Sequence, residues 1–239
     1  MSKQVEVTGS LIKPKRLLEP KRIPEGFLLT DPDDAWSWGK FAFGFLFLSF
    51  WCGVSFPMFA GTLFLFITAP SFSFGALFHL LFISIFAAIG VIGIVWGIRE
   101  LIVIAKLKPG EVILRTYPLR MGESCRLRYR RQLRNGSTRK PGKITAKWLC
   151  YEWVQYRQGK NTKTVTHTLW ETDLPEKTVS SWTKQLEYYG QVQVLTDGPP
   201  SFDAANNQVR WELQVTVNLP GVPKDTSYFR FKILPEVLK

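Results

Sequence analysis

The sequence predicts a two-helix membrane hairpin followed by an all-β domain built as an antiparallel sandwich. Residues 41–98 contain no Asp, Glu, Lys or Arg, and this run is longer than the roughly 20 apolar residues that one membrane helix needs. After Gly110 apolar and polar residues alternate, which is typical of strands with one buried face. These patterns divide the 239-residue chain into segments 1–40, 41–106 and 107–239.

The first segment, residues 1–40, is predicted to be loosely ordered and cytoplasmic. Prolines at 14, 20, 24 and 32 would interrupt any long helix.

The apolar run is predicted to form two helices, at about 41–67 and 74–98. Pro70 supplies the break between them, because proline lacks a donor and clashes with the preceding turn. A cleaved signal peptide fits poorly, since 40 mostly polar residues precede the run. The apolar core of a signal peptide also spans only about 7–15 residues, which is shorter than the first predicted helix. Buried helices of a soluble protein would normally carry a polar face.

Basic residues flank the predicted hairpin on both sides, whereas the link between the helices has none. Since positive flanks remain in the cytoplasm, both termini are predicted to be cytoplasmic, in a multi-pass protein of the bacterial inner membrane. Trp36 and Trp38 precede the first helix and Trp96 closes the second. We expect these three indoles at one membrane interface, where tryptophan is enriched.

A GxxxG spacing, Gly93 and Gly97, occurs in the second predicted helix. Small residues at this spacing allow two helix backbones to approach closely. The motif is therefore predicted to pack the second helix either against the first or against a second copy of the chain in a homo-oligomer.

The clearest predicted strand is Val209–Leu219, in which every second residue is apolar and the residues between them are polar. Several short strands separated by Gly, Pro and Asn favour an antiparallel, immunoglobulin-like β-sandwich. Gln158-Gly-Lys-Asn161 is predicted to be a hairpin turn. The other predicted strands are Glu111–Arg115, Cys125–Leu133, Thr145–Tyr156, Thr162–Leu174, Val179–Tyr188, Gln191–Leu195 and Tyr228–Ile233.

Four short motifs carry a resemblance to a known family. They are Pro199-Pro-Ser-Phe202, the alternation from Val209 to Val215, Pro220-Gly221, and Phe229-x-Phe231. Together they resemble the second half of an arrestin-like sandwich, as found in uncharacterised bacterial membrane proteins that carry transmembrane helices. The resemblance implies a fold and a membrane setting for about residues 107–235, and it implies no catalytic residue.

The stretch "CRLRYRR", residues 125–131, is strongly basic. Because successive side chains of a strand point to opposite faces, Arg126, Arg128 and Arg130 are predicted to share the outer face. Arg131 then interrupts the buried face. Residues 99–147 hold 14 basic and 3 acidic side chains, so most of the net charge of +12 lies there. The predicted basic face comprises Arg126, Arg128, Arg130, Arg134, Arg139, Lys140 and Lys143.

Three interpretations of this basic face remain open. It is a solvated strand face, a surface that contacts anionic lipid headgroups, or a nucleic-acid-binding surface. Nucleic-acid binding is the least favoured, because Tyr129 falls on the buried side and no known RNA- or DNA-binding motif occurs.

No sequence motif for catalysis, a cofactor or a metal occurs in the chain. His79 lies in a predicted helix and His167 in a predicted strand, each without a second candidate ligand nearby in sequence. We therefore expect a non-catalytic, membrane-anchored scaffold or adaptor without cofactors, whose sandwich binds an unidentified protein partner. The alternative is an accessory subunit of a transporter or envelope-assembly complex that associates through its helices.

Overall fold

The structure is a computed structural model that describes residues 19–31, 37–69, 73–134, 136, 138 and 140–236. The chain divides into a helical unit, residues 36–105, and a β unit formed by residues 1–35 together with 106–239.

The helical unit contains α1, Ser37–Thr68, and α2, Phe74–Lys106. Both helices extend beyond the apolar windows predicted at 41–67 and 74–98. α2 continues through Arg99 because nothing breaks the helix before Pro109-Gly110. Trp51 links the two helices, since its indole Nε1 donates to the carbonyl oxygen of Phe86 at 3.1 Å.

Both helices are long and apolar enough to cross a membrane by length and composition. Only 6% of the apolar window of α1 and 17% of that of α2 is buried. Large side chains such as Phe43 and Phe78 are more than two-thirds exposed, at 76% and 73%.

The described residues of the β unit form twelve strands. In chain order they are β1 (Lys21–Ile23), β2 (Gly26–Thr30), β3 (Glu111–Leu114), β4 (Leu119–Arg120), β5 (Ser124–Gln132), β6 (Gly142–Gln158), β7 (Asn161–Val179), β8 (Gln185–Gln193), β9 (Phe202–Asp203), β10 (Asn207–Asn218), β11 (Asp225–Phe231) and β12 (Ile233–Leu234). The first sheet has the order β1-β2-β3-β5-β8, and the second has the order β11-β10-β6-β7 with β9 also paired to β10. All neighbours in these two sheets are antiparallel.

The prediction of a loosely ordered first segment is wrong for residues 19–31. This region forms the β1–β2 hairpin, and β2 pairs with β3 over four residue pairs from Phe27↔Leu114 to Thr30↔Glu111. Asp31 then accepts a hydrogen bond from the backbone N–H of Tyr228 on β11, at 2.7 Å. The prolines that suggested disorder exclude a helix, but they are compatible with short strands and turns.

The hairpin predicted at Gln158–Asn161 is confirmed. β6 and β7 are 17 and 19 residues long, and Gln158 pairs directly with Asn161 across a two-residue turn. Gly159 adopts a φ of 63° in this turn, a conformation that glycine adopts without a steric penalty.

The predicted division into strands Val179–Tyr188 and Gln191–Leu195 is wrong. β7 runs on to Val179, a turn follows, and one continuous strand, β8, spans Gln185–Gln193. Trp182 adopts a φ of 65° in that turn, and the strand pattern is interrupted there.

The core of the β unit lies between the two sheets. Tyr129 on β5 contacts Phe229 on β11 with ring centroids 6.0 Å apart, and the buried Trp148 ring lies 4.8 Å from that of Phe231. The pairing confirms an all-β domain with two antiparallel sheets, beside which β12 and β4 form a separate two-stranded parallel pair.

The cysteines Cys125 and Cys150 are free and buried in this core. Burial raises the pKa of the Cys150 thiol to about 12, so this thiol is not the reactive thiolate at neutral pH.

Candidate functional site

The predicted outward stripe on β5 is present in the structure. Cys125, Leu127 and Tyr129 are almost fully buried, whereas Arg126 is exposed and Arg128 and Arg130 are partly exposed. The period-two interpretation of this strand is therefore confirmed.

Acidic residues on neighbouring elements pair with two of these three arginines. Arg128 contacts Glu187 of β8 at 2.7 Å and Glu25 of the β1–β2 turn at 3.5 Å. Arg130 contacts Glu111 of β3 at 2.5 Å. The hydrogen bond from Arg128 is the main cause of the lowered pKa of Glu187.

Arg126 differs from its two neighbours on the stripe. Within the described part of the chain it forms no ion pair. Arg126 is therefore the arginine of the stripe whose charge is most available to an external ligand.

The predicted basic face does not belong to one sheet. The Arg134 side chain donates to the carbonyl oxygen of Leu107 at 3.3 Å, and Lys140 is exposed. Lys143 belongs to β6 in the second sheet and pairs with Glu176 at 2.8 Å. Arg139 lies outside the described residues. The charge that is continuous in sequence is thus divided between two sheets.

Of the three predicted interface tryptophans, Trp96 is 60% exposed on α2. Trp38 lies in the first turn of α1, and Trp36 is outside the described residues. The prediction that these indoles meet at one interface stays a prediction.

Gly93 packs against α1. A Cβ added at Gly93 would lie 2.6 Å from Leu48 Cδ1, whereas one added at Gly97 would have its nearest contact, also Leu48, at 3.9 Å. Gly90 also lies close to α1, because a Cβ added there would be 3.0 Å from Phe56 and 3.2 Å from Cys52. This geometry favours the intramolecular interpretation of the GxxxG spacing over a homo-oligomer.

Arg131 is the arginine that interrupted the buried face in sequence, and it connects the two sheets. Its side chain is 2% exposed and forms an ion pair with Asp225 of β11. Nε donates to the Lys108 carbonyl oxygen at 2.7 Å, and Nη1 lies 3.5 Å from Ser227 Oγ. The break in alternation was the sequence signal for this residue, but its partner could not be read from the sequence.

The outer face of the second sheet is more buried than the sequence predicted. The polar residues of β10, including Arg210 and Glu212, were expected to face solvent, yet each is only 6% exposed. Aromatic side chains of the adjacent strand β6, namely Tyr151 and Trp153, flank Arg210. The middle of β10 is therefore buried on both faces. The alternation of apolar and polar residues in its sequence had predicted only one buried face.

β7 is an edge strand of the second sheet. Among the residues that the structure describes, it pairs only with β6, and most of its side chains are exposed or partly exposed. Near the hairpin end, Tyr156, Val165 and Leu169 are 45%, 37% and 41% exposed. This end of the β6–β7 hairpin combines an unpaired backbone edge with exposed apolar side chains.

The described residues contain no group of three or more His, Cys, Asp and Glu side chains that could hold a metal ion. His167 lies opposite Glu152 in the β6–β7 register.

No family model matches the chain, and no curated protein sequence matches it. Among solved structures, the chain is similar to the crystal structure of Spo0M, a sporulation control protein from Bacillus subtilis, with a TM-score of 0.39 and 10% sequence identity. The alignment covers 54% of this chain and 49% of that chain, so the match spans about half of that protein. At this TM-score the match assigns neither a family nor a function.

Proposed function

We propose that the chain is a membrane-anchored, non-catalytic adaptor of the bacterial inner membrane, whose arrestin-like sandwich binds a protein partner by strand addition at β7. The exposed, 19-residue edge strand β7 is the observation that carries this proposal. The two helices supply the anchor.

The exposure of α1 and α2 supports the membrane anchor. A helix in the core of a soluble protein buries most of its apolar residues, but these two helices leave large Phe, Leu and Ile side chains exposed along their length. Lipid chains are the solvent that would cover such a surface. The basic flanks then favour cytoplasmic positions for both ends of the hairpin.

Strand addition follows from the chemistry of an edge. An edge strand presents unpaired backbone N–H and C=O groups, which an extended segment of another protein can pair with. Exposed apolar side chains beside that edge, such as Val165 and Leu169, would supply contacts for alternate side chains of the partner. Lys160, Lys163 and Pro175 lie on or beside the same hairpin and limit non-specific pairing, as charges and prolines do on other edges.

Replacing Val165 with lysine is expected to release the partner. The change places a charge among the exposed apolar side chains near the hairpin end of β7. It should reduce the amount of partner that co-purifies with the full chain from mild detergent by at least about tenfold, because a buried unpaired charge at an interface opposes binding. Gln191→Lys on β8, the edge of the first sheet, is the matched control and should retain the partner. Equal retention by both variants would exclude β7 as the binding edge.

One observation favours the alternative, an accessory subunit that associates through its helices. A cavity of about 350 Å³ lies within the helical unit and is lined by apolar residues, including Phe45, Leu48, Trp51 and Ile94. A third helix from a partner would fill it. In that case Phe45→Ala should abolish co-purification, whereas Val165→Lys should leave it unchanged.

The proposal includes contact between the basic face and anionic lipid headgroups. A form of the chain without the helices must keep residues 1–35 joined to 106–239 by a flexible linker, because β1 and β2 belong to the first sheet. With vesicles that contain anionic lipid, Arg126→Gln should weaken binding about fivefold, since a basic residue near such a surface contributes about 1 kcal/mol.

The paired variant Arg128→Gln/Glu187→Gln is the control for that experiment. It removes an ion pair without changing the net charge, so vesicle binding should stay within about twofold of the unmodified protein if paired charges contribute little. Both measurements are made by co-sedimentation at low salt, with neutral vesicles as a blank. Retardation of single-stranded RNA or DNA, lost in Arg126→Gln, would instead favour nucleic-acid binding.

A further inference from the structure

A small cavity lies beside β10 in the second sheet, at the point where its neighbour on one edge changes from β9 to β11. β9 pairs with β10 at Gln208 and Val209, whereas β11 pairs with it from Trp211 onward. The cavity at this junction has a volume of about 170 Å³. Since one water molecule occupies about 30 Å³ of liquid, the space accommodates a small polyatomic group.

Cations dominate the charged lining of this cavity. It includes Arg210, Arg230 and Lys232, with Asp203 as the acidic residue. Arg210 is 6% exposed, Arg230 is half-buried, and Lys232 lies at the surface. The lining therefore offers more positive than negative charge to whatever enters.

The Arg210 guanidinium is held in place. Its Nε donates to Gln208 Oε1 at 2.6 Å, and Nη2 donates to the same oxygen. Its central carbon lies 5.1 Å from the Trp153 ring centroid. Among the described residues it forms no ion pair with a carboxylate. A guanidinium that is oriented in this way is prepared to bind an anion with little loss of side-chain entropy.

Arg210 and Arg230 carry like charges and are partly shielded from water, so their guanidinium groups repel each other. Burial, and then the charge of Arg210, lowers the pKa of the Arg230 guanidinium. Glu212 lies opposite Arg230 in the β10–β11 register. The Glu212 carboxylate already accepts hydrogen bonds from Tyr151 Oη and Gln214 Nε2, each at 3.0 Å. An anion in the cavity would interact favourably with both guanidinium groups.

We propose that this cavity binds a phosphate group, carried either by a small phosphorylated molecule or by a lipid headgroup. An arginine side chain can donate two parallel hydrogen bonds to two oxygens of one phosphate. A phosphate with two negative charges also balances the charge of two guanidinium groups, whereas a carboxylate balances only one. Phe202, which also lines the cavity and is 53% exposed, would contact an apolar part of the ligand.

The test is calorimetric titration of the full chain in an uncharged detergent, at constant ionic strength. Inorganic phosphate is the first probe, and short-chain phosphatidic acid with phosphatidylcholine of the same chain length forms the lipid arm. Arg210→Gln should weaken phosphate binding by at least about tenfold, because two charge-assisted hydrogen bonds are lost. Arg115→Gln, which removes the same charge at an exposed position just after β3, should change it by less than about twofold.

Lys232→Gln is a second variant at an exposed position, and it should weaken binding about threefold to fivefold without affecting folding. Binding of inorganic phosphate supports a soluble ligand, and binding of phosphatidic acid alone supports a lipid headgroup. The proposal is overturned if neither probe binds below about 10 mM, if Arg115→Gln weakens binding as much as Arg210→Gln, or if acetate binds more tightly than phosphate. If Arg210→Gln does not fold, Lys232→Gln alone tests the proposal. Unchanged phosphate binding by Lys232→Gln would then overturn it.

Discussion

Replacing Arg131 with methionine is expected to lower the free energy of unfolding of the β unit by about 3 kcal/mol, because removing one member of a buried ion pair leaves its partners uncompensated. The change would leave Asp225, the Lys108 carbonyl oxygen and Ser227 without the guanidinium that now contacts all three. The effect should lie at the lower end of the range for buried pairs, since the Asp225 side chain is 27% exposed and can recover some hydration. Urea titration of the full chain in uncharged detergent, followed by tryptophan fluorescence, measures the loss.

The double variant Arg131→Met/Asp225→Leu separates the ion pair from packing. Replacing a buried pair by apolar residues of similar volume is often neutral, so the double variant should recover at least half of the lost stability. A single variant that loses less than about 1 kcal/mol would show that the cross-sheet contact contributes no more than an exposed pair does.

Reporter fusions that test the membrane topology are expected to give an all-or-none result. A reporter that is active only in the periplasm is expected to be inactive when fused after residue 239 and active when inserted in the link at 69–73. The reason is that basic residues flank the helices on both sides while residues 41–98 carry none.

A control for expression accompanies each fusion, namely a reporter at the same position that is active only in the cytoplasm. The two reporters should give opposite patterns. Strong periplasmic activity from the fusion after residue 239 would reverse the predicted orientation, and it would place Cys125 and Cys150 in an oxidising compartment.

The features predicted most accurately from the sequence are those set by neighbouring residues. The apolar run and its proline break predicted α1 and α2, because a helix satisfies its backbone hydrogen bonds internally. Alternation along 125–131 and 209–219 predicted which side chains of β5 and β10 face the core, because side chains alternate between faces at every residue of a strand. The ends of these elements were less accurate, as the start of α1 at Ser37 rather than at about residue 41 illustrates.

Only the tertiary structure decided which residues meet. The sequence determined by itself that Arg128 and Arg130 face outward and that Arg131 faces inward. It could not show that Glu25, Glu111 and Glu187 neutralise the first two, or that Asp225, 94 residues away, pairs with the third. Sheet order brings distant strands side by side, and no local periodicity encodes that order. The same holds for β1 and β2, whose partner β3 follows both helices in the chain, and for the cavity at Arg210, which exists because β9 and β11 meet the same edge of β10.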